Sequence, residues 1–194
     1  MHIRLATQAD LPQMLQIYAP YVEQTPISFE YRLPTLEEFT CRFTGITRQF
    51  PWLVWEEDEQ LLGYAYGSAP FERDAFRWCA EASIYLKQSA RGQGIGKKLY
   101  LALEELLRLQ GYKTIYAIVT SDNLSSIAFH RALGYTHLAD FPDCGYKLGG
   151  WHGVTWLQKS LNFVDSPSNF PLDISSVVEN SQNLEAILAK IPLS

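Results

Sequence analysis

Cysteine, basic charge and long apolar runs are all scarce in this chain. Three cysteines occur in 194 residues, Cys41, Cys79 and Cys144. None stands in a C-x-x-C or C-x-x-H spacing, so a disulfide framework and a thiolate metal site are not expected, and no metal is assigned. An odd count without a framework fits a reducing, cytoplasmic setting. Lys and Arg number 16 against 21 Asp and Glu, a formal net charge of −5. Nucleic-acid binding usually requires a clustered basic face, so no nucleic-acid partner is expected. No apolar run approaches the roughly 20 residues of a spanning helix, so no membrane association is expected. The opening "MHIRLATQAD" lacks a charged flank followed by an apolar core, and a signal peptide is not expected either.

What is present is a globular composition, 47% hydrophobic and 19% charged. The length suits one domain with a sizeable core. "HIRLA" alternates as a short strand. Thr7 with Asp10, and Thr35 with Glu38, are capping-box devices. They precede helical spacings at Leu11, Met14, Leu15, Tyr18 and Val22, and at Leu36, Phe39, Phe43 and Ile46. "PWLVWEE" and "QLLGYAYGSA" predict a hairpin, and "RWCAEASIYL" a third strand of the same meander. A glycine-rich turn then opens a helix that stops at Gly111. "KTIYAIVT" reads as a strand and "NLSSIAFHRAL" as a helix. "YTHLADF" and "GVTWLQKSL" read as the last two strands. The class is α+β or mixed α/β, a domain over 1–162. Residues 163–194 form a linker-like extension, with one short amphipathic helix within "SVVENSQNLEAILAKI".

The turn, "QSARGQGIGKKLY", has the character of a phosphate site. Glycines let backbone N–H groups close on a pyrophosphate, and a helix N-terminus adds partial positive charge. A P-loop is ruled out, because Gly92 and Gly96 are one residue too close and Lys98 stands where Ser or Thr is needed. A dinucleotide fingerprint fits poorly, with lysine at 97 and the third glycine early, although Asp122 could serve as its ribose acid. A plain strand-to-helix turn, using glycine only for its dihedrals, is the remaining non-functional reading.

Arg91, Gly94 and Gly96 match [QR]-x-x-G-x-[GA], and the turn so resembles the pyrophosphate loop of the GNAT superfamily of acyl-CoA-dependent acyltransferases. "NLSSIAFHRALGY" resembles the second signature of that superfamily, in the right order. The resemblance implies a central, mixed, strongly twisted sheet of about six to seven strands flanked by about four helices. It implies acetyl-CoA as co-substrate, held by Leu86, Arg91, Gly92, Gln93, Gly94, Ile95, Gly96, Lys97, Asn123 and Ser126. "RDAFRWCAEASIYL", "GYKLGGWHGV", "IRLATQADL", "IYAPYV" and "TPISFE" further resemble blocks of the phosphinothricin N-acetyltransferase branch. That branch acetylates the α-amine of small amino acids and analogues such as phosphinothricin, methionine sulfoximine and methionine sulfone. A homodimer is implied by the same resemblance.

Direct transfer to an amine needs a base for the ammonium, a polarised thioester carbonyl and protonation of the departing thiolate. Glu81, a lone carboxylate in an apolar strand, is the candidate base, directly or through water. Alternatively it is a core carboxylate paired with an arginine such as Arg77. His130, where many GNAT enzymes have tyrosine, either relays a proton or hydrogen-bonds the cofactor or core. By resemblance Arg73 meets the substrate carboxylate, unless it is simply a solvated loop arginine. Phe29, Glu30 and Phe76 are its expected pocket neighbours. Phe76 replaces a usual tyrosine, and Gly153 the branch's aspartate. Two alternatives stay open: the same fold acting on a polyamine, aminoglycoside or protein N-terminus, and an acetyl-CoA sensor without turnover.

Overall fold

The computed structural model describes residues 2–162, 166, 169–180 and 184–189. Both expected caps form. The Thr7 N–H and hydroxyl donate to the Asp10 carboxylate at 2.7 and 3.0 Å, turning the chain from β1 (His2–Leu5) through a 3-10 turn into α1 (Leu11–Glu23). Arg4 grips the same carboxylate with two N–H groups at 2.7 and 2.8 Å, so strand, turn and helix share one ionic joint. At α2 (Leu36–Thr47), the Thr35 N–H donates to Glu38 at 2.8 Å and the Glu38 N–H to the Thr35 hydroxyl at 3.2 Å. That is a reciprocal capping box.

The meander follows as β2 (Trp52–Glu57), β3 (Gln60–Ser68) and β4 (Cys79–Leu86). After α3 (Ile95–Gln110) come β5 (Thr114–Thr120), α4 (Leu124–Ala132), β6 (Thr136–Lys147) and β7 (Gly150–Ser160). The seven strands form one sheet in the order β1-β2-β3-β4-β5-β7-β6. Only β4 and β5 run parallel, joined by the crossover helix α3, so the class is mixed as expected. α3 packs on one face through Leu99, Leu103, Leu106 and Leu107, all fully buried. α1 and α2 cover part of the other through Met14, Phe39 and Phe43. α3 ends where Gly111 takes φ +96°, with Tyr112 N–H bonded to the Leu107 carbonyl at 3.1 Å.

Two elements differ from expectation. The last two strands are longer, pairing out to Lys147↔Gly150 around a turn at Leu148 and Gly149, both with positive φ. Pro142 has no N–H and Asp143 sits at φ +49°, so the register slips between Phe141 and Gly145. That irregularity hides the strand from an alternation test. The C-terminal helix is two short ones, α5 (Ile174–Asn180) and α6 (Leu184–Leu188). Residues 181–183, 190 and 191 of the expected single helix lie outside the described residues. Ile174, Val177 and Ile187 are buried against the α3 core, so the described part of the extension belongs to the same packed body.

The feature that positions the site is a fork. β4 and β5 pair only at Cys79↔Thr114, Ala80↔Ile115 and Glu81↔Tyr116, although both strands continue. Truncation in the core behind the fork, Leu103→Ala, should lower stability by about 2–5 kcal/mol, seen as a lower urea midpoint at unchanged slope.

Candidate active site at the strand fork

The parted strands enclose a cavity of about 440 Å³. Its walls are Ala82 to Leu86 of β4 and Ala117 to Thr120 of β5, with Tyr21, Ile27, the glycine turn and the first turns of α4 around them. The register shows which peptide groups enter it. Lys87 N–H bonds to the Leu62 carbonyl at 2.8 Å, which places the odd-numbered residues of β4 in the hydrogen-bonded pairs with β3. The even-numbered peptide groups therefore face β5. Beyond Glu81 that partner has left, so the Ile84 N–H points into the gap without a strand partner. Leu86 is satisfied by a side chain: Tyr21 Oη accepts from its N–H at 3.2 Å and donates to its carbonyl at 2.7 Å.

The glycines divide their work. Gly92 and Gly94 take φ +75° and +77°, and nothing lies within 4 Å of where a Cβ would stand. They are needed for backbone conformation and leave the peptide surface open to the cavity. Gly96 is needed for packing, since a Cβ there would meet Leu86 Cδ1 at 3.3 Å and Ile84 Cδ1 at 3.5 Å. Gly94 caps α3, so the N–H groups of its first turn end at the cavity. Arg91 lies with its guanidinium over the Tyr21 ring and donates to Tyr21 Oη at 3.0 Å. Lys97 lines the same wall. Gln93 and Ile95 do not line it: the Gln93 amide donates to the Ser89 carbonyl at 2.7 Å, and Ile95 is buried in the core.

α4 supplies the opposite end. Asn123 Oδ1 accepts from Ser126 N–H at 3.2 Å and from the Ser125 hydroxyl at 2.9 Å, which caps the helix and leaves the amide NH₂ for the cavity. Asn123, Ser126 and His130 all line the wall. His130 is buried, its Nδ1 2.7 Å from the Ser126 carbonyl and its Nε2 2.8 Å from Tyr100 Oη. A carbonyl only accepts, so Nδ1 carries the proton and Nε2 accepts from Tyr100. Burial lowers the His130 pKa against a smaller raising effect of the Ser126 bond, and the ring is neutral.

Glu81 lies on the other face of the sheet. Ala80 and Ala82 point to α3, so Glu81 and Ser83 point away, with Tyr116 as the β5 neighbour of Glu81. It is half-buried, and desolvation pushes its pKa above the usual carboxylate value. Among the described residues it has no ion-pair or hydrogen-bond partner. The expected alternative of pairing with Arg77 does not occur: Arg77 is held by Asp74 at 2.7 Å.

The four expected substrate residues are not gathered in one cavity. They lie on two loops that reach the Glu81 face. Residues 69–78 carry Arg73 and Phe76 around a second cavity of about 230 Å³, and Phe71 there packs on Tyr116 and Trp156. The α1–α2 connection carries Phe29, whose ring fills the space above Gly145, and Glu30, paired with Arg42 at 2.7 Å. That connection is tied to β5 by the Thr120 hydroxyl, which donates to the Pro26 carbonyl at 2.9 Å. Tyr21, Ile84 and Phe129 were missed from the sequence. Tyr21 sits in a helical spacing that reads as core, and a peptide N–H freed by strand parting carries no side-chain signal.

Among the described residues no helix is long and apolar enough to cross a membrane, and no group of three His, Cys, Asp or Glu side chains could hold a metal. Residues 3–156 match the Acetyltransferase (GNAT) domain family. The chain is 31% identical to a phosphinothricin N-acetyltransferase of Streptomyces viridochromogenes, over 86% of this chain and 91% of that protein. It is 37% identical to an L-methionine sulfoximine/L-methionine sulfone acetyltransferase of Pseudomonas paraeruginosa, over 82% and 94%. A crystal structure of a GNAT superfamily phosphinothricin acetyltransferase from Sinorhizobium meliloti, in complex with AcCoA, superposes with a TM-score of 0.81 at 34% identity, covering 88% of this chain and 92% of that one. The forked sheet, the glycine cradle and these likenesses agree, and the chain belongs to the GNAT acetyltransferase family.

Proposed function

We propose that this protein transfers the acetyl group of acetyl-CoA directly to the α-amino group of a small amino acid or analogue, of the phosphinothricin, methionine sulfoximine or methionine sulfone type. One observation carries the reading. One residue beyond Glu81, a half-buried carboxylate without a partner among the described residues, the fork opens a cavity that ends in a glycine cradle. The cavity fits the co-substrate: Gly92, Gly94 and the first turn of α3 offer peptide N–H groups to a pyrophosphate, Arg91 and Lys97 add positive charge, and the Asn123 amide suits a pantetheine arm. Acetyl-CoA supplies an acyl group already activated as a thioester.

The Ile84 N–H is the donor for a carbonyl oxygen that gains charge in the gap. Glu81 takes one proton as the ammonium N–H bond breaks and a carboxyl O–H forms, directly or through water. The amine then bonds the carbonyl carbon as the C–S bond breaks, and the second proton the nitrogen sheds passes through water to the departing CoA sulfur. Its raised pKa makes it a stronger base than an exposed glutamate. For His130 we favour the hydrogen-bonding role over the proton relay. The neutral ring has one proton, spent on Ser126, and the Tyr100 hydroxyl that donates to Nε2 keeps its own, burial driving its pKa far above the usual value. His130 thus positions the first turn of α4. Arg73 is the cation for the substrate carboxylate, with Phe29, Glu30 and Phe76 as walls. We further infer a homodimer, supported by the exposed Tyr146, Leu148 and Trp151 at the β6–β7 tip, and a reducing cytoplasmic setting, supported by three free thiols.

A thiol-release assay should show turnover with phosphinothricin, methionine sulfoximine or methionine sulfone. Turnover with spermidine alone would overturn the amino-acid reading, and acetyl-CoA binding without thiol release on any amine would favour a sensor. Glu81→Gln should lower kcat about 100-fold near neutral pH, the loss shrinking as pH rises and free amine becomes abundant. The same substitution tests linkage. Because the folded Glu81 pKa is raised, the folded state holds a proton that the unfolded chain releases, so stability falls as pH climbs from the ordinary glutamate value through the raised one. Glu81→Gln should flatten that slope, and an unchanged pH–rate profile removes Glu81 from the mechanism. ¹⁵N NMR should find His130 neutral with its proton on Nδ1 at about pH 6.5, where an unperturbed histidine is half charged. A charged ring there would restore the relay.

A further inference from the structure

The loop over residues 69–78 has few anchors of its own. β3 ends at Ser68 and β4 begins at Cys79. Within the link the described backbone hydrogen bonds are local, Phe76 N–H to Arg73 and Arg77 N–H to Asp74, until Trp78 accepts from Lys113 at 2.8 Å. A loop held so lightly would leave Arg73 free to swing, and orientation of a recognition group is lost when its support moves. Two contacts fix it from outside. On the sheet side Phe71 packs on Tyr116 and Trp156. On the other side stands the C-terminal extension, beyond the family match that ends at residue 156.

The extension grips the loop's last residues. The Phe170 ring lies 5.4 Å from the Trp78 ring, and the Arg77 guanidinium sits 4.9 Å from its centroid on the loop side. Trp78 Nε1–H donates to the Asn169 carbonyl at 3.2 Å. The extension is itself pinned to the domain. Leu172 N–H donates to the Gln110 carbonyl at 2.8 Å, and its carbonyl accepts from Gln110 Nε2 at 2.6 Å and Gln49 Nε2 at 3.1 Å. Arg77 in turn holds Asp74 at 2.7 Å, one residue from Arg73. A continuous path therefore runs from the end of α3, through Leu172 and Phe170, to Arg77, Asp74 and Arg73. Phe170 and Pro171 also line the second cavity, together with Arg73 and Phe76.

We propose that the C-terminal extension braces the amine-recognition loop, and that Phe170 is a positioning residue that sets the orientation of Arg73 and the room beside Phe76. The extension is then a specificity element for the amino-acid substrate and takes no part in acetyl-CoA binding, whose cavity lies at the other end of β4. The inference rests on the amino-acid reading of Arg73.

The test is Phe170→Ala in the full chain. The KM for the amino acid should rise about fivefold, with kcat and the KM for acetyl-CoA within twofold, and Phe170→Tyr should restore it. Backbone amide exchange should quicken in residues 70–78 and stay unchanged in 114–120. Trp78→Phe keeps an aromatic ring but loses the N–H bond to Asn169 and part of the surface against Phe170, and should give the same pattern at about threefold. It serves if Phe170→Ala does not fold. Unchanged exchange in 70–78, or equal rises in both KM values, would overturn the brace. The exchange readout needs no substrate, so it stands apart from the wild-type turnover that decides the amine reading.

Discussion

Everything in this molecule depends on two parallel strands that stop bonding after three residues. A sheet normally satisfies each peptide group with its neighbour, and a parting strand leaves those groups unpaired at real cost. Here the cost is offset selectively. Tyr21 Oη takes both polar groups of Leu86, which seals the outer end of the gap, while the Ile84 N–H stays available within it. Tyr21 also accepts from Arg91, so one hydroxyl ties α1, the end of β4 and the glycine turn together. The bonded rim offsets part of the cost of the fork, while the Ile84 N–H within it keeps no strand partner.

The fork also separates two chemistries that would interfere if mixed. On the α3 face are glycines, helix N-terminal peptides and basic side chains, suited to a polyanion. On the other face is Glu81, a carboxylate with no cationic partner among the described residues. Arginine beside a carboxylate lowers its pKa by one to three units, roughly, and would remove its basicity.

The fold and the glycine turn beside the fork cavity were legible in the sequence because both are written in local spacing. The caps at Thr7 and Thr35 announce helices, Gly111 ends one, and the turn at Gly92, Gly94 and Gly96 shows where a pyrophosphate fits. Reading stopped at features that depend on distant partners. The long β6–β7 hairpin was obscured by Pro142, whose missing N–H is tolerated at a bulge that only pairing reveals. The sequence left His130 open between a proton relay and a hydrogen-bonding role, because its partners Tyr100 and the Ser126 carbonyl are brought to its two nitrogens only by folding. The role of the extension was hidden for the same reason. Phe170 meets Trp78 across 92 positions of sequence, and no short pattern records that meeting.

Those distant contacts explain how Glu81 stays without a cationic partner among the described residues. Arg77 lies four residues before it on the same chain, and pairing the two was a natural expectation. Instead the 3-10 turn at Asp74–Phe76 brings Asp74 back onto Arg77, and the Phe170 ring covers the guanidinium. An exposed pair of this kind adds little stability by itself. Its effect here is geometric, since a cation satisfied by Asp74 and stacked on an aromatic ring is turned away from the sheet face. Burial then acts on Glu81 unopposed, and its pKa moves upward. The loop that carries Arg73 is thus the same loop that pairs Arg77 with Asp74, and the Phe170 ring of the extension stacks on that guanidinium.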